Sequence, residues 1–211
     1  MKISLSDADT QLLLQALVAL KNGDFSVRLP DNWSDANGKM ADNLNQIFDQ
    51  FRLLCQEVEQ INTVVGTKGK ISQKITANIG QGAWSSITNA VNDLVINMAL
   101  PISETTRVIG AVSKGDLLQS VALELEGRKL EGEFLYTATV VNAMIEQLNT
   151  FTSEVTRVAK EVGTEGKLGG QAKAEGLSGS WKILADSVNL MASNLTDQVR
   201  NISEVTIAVA E

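Results

Sequence analysis

Val141-Asn142-Ala143-Met144-Ile145-Glu146-Gln147-Leu148-Asn149-Thr150-Phe151-Thr152-Ser153-Glu154-Val155-Thr156-Arg157-Val158-Ala159-Lys160-Glu161-Val162 is the stretch that decides the fold. Within it Val141, Met144, Leu148, Phe151, Val155, Val158 and Val162 advance in alternating steps of three and four. A stripe repeating every ~3.5 residues drifts around a straight helix of ~3.6 residues per turn, so partner helices must supercoil to keep it buried. At about 1.5 Å per residue the frame rises roughly 30 Å. It is followed by Gly163-Thr164-Glu165-Gly166-Lys167-Leu168-Gly169-Gly170, which is too rich in glycine and polar residues to stay helical.

Both features recur. A Gly-Asp/Lys-apolar triplet appears at Gly23-Asp24-Phe25, Gly69-Lys70-Ile71, Gly115-Asp116-Leu117 and Gly166-Lys167-Leu168, at spacings of 46, 46 and 51 residues. An apolar-Asn pair follows each triplet: Leu44-Asn45, Val91-Asn92, Val141-Asn142 and Val188-Asn189. Further heptad frames start from these pairs. They run Leu44, Ile47, Phe51, Leu54, Val58, Ile61, Val65; then Val91, Leu94, Met98, Pro101, Thr105, Val108, Val112; then Val188, Met191, Leu195, Gln198, Ile202, Val205, Val209. Repetition on this scale means that each unit buries its apolar face against neighbours. Four units and the start of a fifth are expected: 1–56 with connector 23–36, 51–103 with connector 69–82, 98–154 with connector 115–132, 149–199 with connector 166–179, and a truncated 200–211.

The connectors themselves carry pairs of apolar residues four apart: Phe25 and Leu29, Ile71 and Ile75, Leu117 and Val121, and Leu168 and Ala172. A connector that buries two side chains lies along its helices. The helical stripe is wider than a two-stranded seam needs, since Val95, Ile102, Ile109, Ile145 and Leu190 flank it, and a four-helix bundle fits better. Trp84, Phe134 and Trp181 each precede a frame position by seven residues and are expected to be packing anchors at helix starts.

Helix, Gly-led connector with two inward apolar residues, then a second helix with an apolar-Asn pair: this resembles the HAMP domain, repeated. Val162 through Gln171, Trp181-Lys182, Val188-Asn189 and Leu195 through Ile202 are similar, more narrowly, to the poly-HAMP sensor region of group III-type hybrid histidine kinases and their bacterial relatives. The resemblance implies an all-α rod: a parallel homodimer of tandem four-helix coiled-coil units, each second helix continuing as the first helix of the next. The dimer core would then be Leu44, Phe51, Val58, Val91, Met98, Val141, Leu148, Val155, Val188, Leu195 and Ile202, with Gly23, Gly69, Gly115 and Gly166 leading the connectors. The family's second helix commonly opens with Asp-Glu-x-Gly; only Asp35, Gly38 and Glu133 keep that pattern, the aligned openings being Asp35-Ala36-Asn37-Gly38, Gly82-Ala83-Trp84-Ser85, Gly132-Glu133-Phe134-Leu135 and Gly179-Ser180-Trp181-Lys182. Connectors also alternate between a Val-x-x-Gly-Asp-like form (Leu20 to Asp24, Val112 to Asp116) and a Val-Gly-Thr-Lys/Glu-Gly-Lys form (Val65 to Lys70, Val162 to Lys167), which suggests two module types.

Composition agrees with an elongated helical protein: aromatics are 4%, proline occurs twice, and the 44% hydrophobic content is mostly aliphatic. A net charge of −7 without a Lys/Arg cluster argues against a nucleic-acid surface. One cysteine, Cys55, forms no intrachain disulfide, and no apolar run is long enough for a membrane span or an export signal, so a cytoplasmic setting is expected. Histidine is absent, which removes a phosphoacceptor histidine, a Ser-His triad and histidine metal ligands. Gly-Thr-Lys-Gly-Lys and Gly-Thr-Glu-Gly-Lys lack the four-residue spacing and the Ser/Thr of a phosphate-binding loop, and read as helix-ending connectors. Glu124, Glu126, Glu131 and Glu133 read as a solvated acidic loop rather than a cation site, with Glu133 placed to favour a helix start, and Cys55 as a small packed hydrophobe.

No catalytic, cofactor-binding or metal residues are expected. The expected function is a signal relay that passes conformational change between packed helices to a downstream histidine kinase core in cis. Polar Thr105 and Gln198 in the core frame would weaken any single rigid packing. The alternative is a passive coiled-coil dimerisation scaffold. At Ala208-Val209-Ala210-Glu211, comparison with Val112 through Asp116 predicts that a Gly-Asp connector follows.

Overall fold

The computed structural model describes residues 6–210. Residues 1–5, on which part of the N-terminal reading and the edge of the first expected unit fall, and Glu211, at the edge of the last, lie outside the described residues. Five helices dominate: α1 (Asp7–Lys21), α2 (Asp35–Ile61), α3 (Ala83–Val112), α4 (Gly132–Gly163) and α5 (Gly179–Ala210). The Ser6 hydroxyl caps α1 by accepting from the Asp9 N–H at 3.1 Å, and Asp7 and Asp9 complement the positive end of the helix. Each of α2, α3 and α4 is long enough to carry one whole heptad frame, and α2 passes directly into a π-helical turn, Asn62–Thr67.

The chain forms two compact units, residues 1–99 and 100–211. In the first, one core gathers Ala16 of α1, Leu29 of the connector, and Ala41 and Phe48 of α2; another gathers Ile61 of α2, Ile75, and Val95 of α3. In the second, Val108 of α3, Val121, Leu130, and Ala138 and Ile145 of α4 form one core, and Val158 of α4, Ala172 and Ala192 of α5 form the other. Every core thus takes one residue from an incoming helix and at least one each from a connector and an outgoing helix. The outgoing-helix positions lie three residues before and four after the apolar-Asn marker: Ala41 and Phe48, Thr88 and Val95, Ala138 and Ile145, Ala185 and Ala192 are all buried. In the outgoing halves the buried positions therefore lie beside the heptad frame, whereas in the incoming halves Ile61, Val108 and Val158 are frame positions themselves.

The connectors end their incoming helices in two ways that follow the two sequence forms. At Gly23 and Gly115, with φ of 78° and 84°, the next N–H, of Asp24 or Asp116, bonds back five residues to the carbonyl of Ala19 or Ala111. Glycine carries this left-handed geometry without a Cβ clash. In the other form one extra residue precedes the glycine, and Lys70 and Lys167 bond back six residues, to Val64 and Glu161. The wider turn absorbs the insertion, so Gly69 and Gly166 reach the same left-handed position.

One element departs from the all-α expectation. The third connector contains a two-stranded antiparallel hairpin, β1 (Glu124–Leu125) and β2 (Arg128–Lys129), pairing Glu124 with Lys129 and Leu125 with Arg128. Its turn residues Glu126 and Gly127 have φ of 51° and 76°, as a two-residue turn matching strand twist requires. The acidic loop expected there is a hairpin because Glu-Gly supplies that turn in place of the commoner Asn-Gly or Asp-Gly.

Candidate functional site

The connectors are the site-bearing elements, and one asparagine holds each of them. Asn45 Oδ1 accepts from the Leu29 N–H at 2.9 Å while its Nδ2 donates to the Leu29 carbonyl at 3.0 Å. Asn92 makes the same pair of bonds to Ile75, at 2.8 and 3.0 Å. Asn142 holds Val121 at 2.7 and 3.0 Å, and Asn189 holds Ala172 at 2.6 and 3.0 Å. A primary amide is suited to this because it offers a donor and an acceptor side by side, matching one residue's own N–H and C=O. The clasped residue is the second apolar residue of each connector, and Leu29, Ile75, Val121 and Ala172 are all buried, so water does not replace the bonds.

A second grip comes from the incoming helix in residues 100–211. Glu154 Oε2 accepts from the Lys173 N–H at 2.8 Å, and Arg157 donates to the Gln171 carbonyl at 2.7 Å while pairing with Glu154 and Glu161. Residues 171–173 are thereby held from both helices. The Arg157 hydrogen bond, then the Lys173 N–H, hold the Glu154 carboxyl below its usual range, and Arg157 is pushed up by the same pairing. In the preceding connector Glu104 pairs with Arg107 and accepts from the Ala122 N–H at 3.4 Å, and Arg107 reaches Gln119. The Arg107 hydrogen bond also lowers the Glu104 carboxyl. In the first connector Arg28 pairs with Asp49 and donates to the carbonyls of Phe25 and Val27.

Of the first apolar connector residues, Phe25, Ile71 and Leu117 are half-buried and Leu168 is exposed. Each connector also has a third apolar anchor, just before the next helix: Trp33 is half-buried, and Ile79, Leu130 and Leu177 are buried. Sequence reading by fixed spacing missed these because the hairpin and shorter insertions vary the distance from the glycine. It used the asparagines only as repeat markers. Their recurrence directly after an apolar residue was the available signal.

The helix openings explain the departures from Asp-Glu-x-Gly. Asp35, Gly82, Gly132 and Gly179 have φ of 55°, 65°, 54° and 54°, so the chain enters every outgoing helix through a left-handed residue. Glycine suits that position and Asp is among the side chains that tolerate it. Gly38 is needed for a local reason: a Cβ there would meet the Trp33 carbonyl oxygen at 2.5 Å. Glu133 lies in the first turn of α4.

The frame residues expected to face a partner divide into two sets. Leu44, Val91, Val141 and Val188 are half-buried against the chain's own cores, and Phe51, Leu148 and Val155 are also half-buried. Val58, Met98, Leu195 and Ile202 are exposed. Trp84 packs edge-on to Phe51, and Trp181 packs at a tilt against Phe151, whereas Phe134 is exposed. Cys55 is exposed, which corrects the expectation of a packed thiol: it directly follows Leu54, and the helix turns only the latter inward.

The two Gly-Thr-x-Gly-Lys segments have no phosphate cradle. The N–H groups of Lys68, Gly69, Lys70, Thr164, Glu165 and Lys167 all bond to helix carbonyls. Among the described residues no group of three or more acidic or thiol side chains is placed to hold a metal ion, and no helix is long and apolar enough to cross a membrane. An open groove of about 640 Å³ runs beside Asp116 to Leu118 and the Thr152, Thr156 and Lys160 face of α4.

No solved structure matches the chain. The family model of the HAMP domain matches residues 79–150, a span that takes in α3, the clasped third connector with its hairpin, and the first half of α4. Residues 79–150 thus match the HAMP domain, a known signal-transducing linker, which supports a HAMP-containing signalling protein.

Proposed function

We propose that the chain is a relay of four tandem HAMP units, paired as a parallel homodimeric rod, that passes helix displacement to a downstream histidine kinase core in cis and catalyses nothing itself. The observation that carries this reading is the division of each long helix into two faces. One face is clasped to the chain's own connector through an asparagine. The other leaves heptad residues such as Leu94, Met98, Met191, Leu195, Ile202 and Val205 exposed. Covering a large aliphatic side chain contributes about 1.5–3 kcal/mol, so a second copy laid along this face gains several such terms. The clasp recurs in all four repeats, which supports extending the HAMP reading beyond residues 79–150.

Two measurements test the proposal. In a Cys55→Ser background, Met98→Cys forms an inter-subunit disulfide and Glu146→Cys does not; equal yields at the two sites overturn the dimer face. With the chain fused to its kinase core, deleting residues 149–155 keeps the downstream face in phase. Deleting only 149–152 rotates it by roughly 50° at about 3.5 residues per turn. Autophosphorylation changes in the second variant and far less in the first. Indistinguishable activities favour a passive coiled-coil scaffold.

A further inference from the structure

Three aromatic rings, from the first connector, α2 and α3, meet within residues 1–99. Phe25 of the first connector stacks on Phe51 of α2, with centroids 4.8 Å apart and planes 7° from parallel. Phe51 in turn meets Trp84, near the start of α3, edge-on at 4.7 Å and 81°. The Trp84 ring sits over Gly80: a Cβ added there would lie 3.1 Å from Trp84 Cδ1 and 2.8 Å from Nε2 of Gln50, the neighbour of Phe51 in α2. The bare α-carbon of Gly80, with φ of 151°, leaves room for the indole to reach α2. Another ring contact among the described residues, Phe151 with Trp181, is a looser pair at 5.7 Å, and Leu117 stands in the third connector where Phe25 stands in the first.

We propose that Phe51 is a positioning residue that couples the first connector to the start of α3, through the ring series Phe25, Phe51 and Trp84. The series links a segment whose backbone is clasped to α2, through Asn45 and Leu29, to the helix that follows the next connector. Stacked and edge-to-face pairs hold defined relative orientations because ring quadrupoles favour those geometries, so displacing one ring is felt by the next. Aliphatic side chains in the same places would fill space without that orientational preference. The inference concerns residues 1–99 alone and stands whether or not the chain relays a signal.

Hydrogen exchange of the full chain, read by mass spectrometry on peptides covering residues 86–92, tests it. Loss of one ring contact corresponds to roughly a two- to tenfold change in a local opening equilibrium. Phe25→Leu is expected to speed exchange at 86–92 by that factor although Phe25 belongs to a different element. In a Phe51→Leu background the same substitution adds less than twofold. Val27→Ala, which loosens the first connector outside the ring series, leaves 86–92 unchanged. The coupling is refuted if Phe25→Leu leaves 86–92 at the wild-type rate, if its effect persists without Phe51, or if Val27→Ala matches it. Should Phe51→Leu not fold, Gly80→Ala in a Trp33→Phe/Trp181→Phe background supplies the second arm. There Trp84 emission shifts to the red both on Gly80→Ala and on Phe25→Leu, and a shift with Gly80→Ala alone overturns the proposal.

Discussion

Replacing Asn142 with Ala removes both clasp bonds at once and leaves the N–H and C=O of Val121 facing apolar neighbours. The lost bonds measure 2.7 and 3.0 Å, and Val121 is only 2% exposed, so water does not substitute. Two net hydrogen bonds contribute about 1–3 kcal/mol, and the desolvation of two orphaned backbone groups moves the expected cost to about 2–4 kcal/mol. At about 1.4 kcal/mol per tenfold, the lower limit already raises local opening of the third connector roughly thirtyfold. Hydrogen exchange over residues 117–125 reads that opening, and calorimetry reads the accompanying fall in Tm. Asn142→Asp separates the clasp from simple packing. Its carboxylate keeps an acceptor for the Val121 N–H but sets a second oxygen against the Val121 carbonyl, which raises the folded-state pKa of the introduced acid. A raised folded pKa contributes stability at low pH that is lost as pH rises through it. The Asn142→Asp variant is thus weakest at neutral pH and recovers toward wild type in acid, where its protonated oxygen donates to that carbonyl. Exchange within twofold of wild type for Asn142→Ala, or a pH profile for Asn142→Asp that parallels wild type, would refute the clasp.

Val121→Glu buries an unpaired carboxylate and is expected to lower Tm by an amount equivalent to several kcal/mol, whereas Leu118→Glu, at a position 87% exposed, leaves Tm unchanged; calorimetry distinguishes the two. Gly132→Ala forces a Cβ into a left-handed helix opening and costs about 1–2 kcal/mol in thermal unfolding. Gly110→Ala, inside α3 with open space at its Cβ, is expected to stabilise by about 0.5–1 kcal/mol. Glu154 titrates below the usual carboxylate range because it is bonded to Arg157 and the Lys173 N–H, so its contribution is present at neutral pH and is lost as pH falls through and below about 4.3. Glu154→Gln therefore lowers Tm at pH 7 and flattens its acid dependence; an unchanged slope would show that the carboxylate does not hold the fourth connector.

The helices and the left-handed glycines that end them were legible in the sequence because each depends on local chemistry. The three-four spacing from Val141 to Val162 marks a helix with one apolar face, which α4 spans, and Gly23, Gly69, Gly115 and Gly166 fill a left-handed position that glycine occupies without steric cost. The alternation of connector forms was also legible, since one inserted residue must widen the helix-ending turn, as it does at Lys70 and Lys167. Tertiary structure alone decided which half of each apolar stripe the chain buries for itself. Periodicity marks a face but not its occupant, and a core of small residues such as Ala16, Ala41, Ala138 and Ala192 is visible only once a connector lies against it. The asparagine clasp belongs to the same class. Asn142 and Val121 are 21 residues apart, and nothing local to either shows that an amide and a backbone unit will meet; the hairpin between them, which sequence spacing did not reveal, sets how far the chain travels before they do.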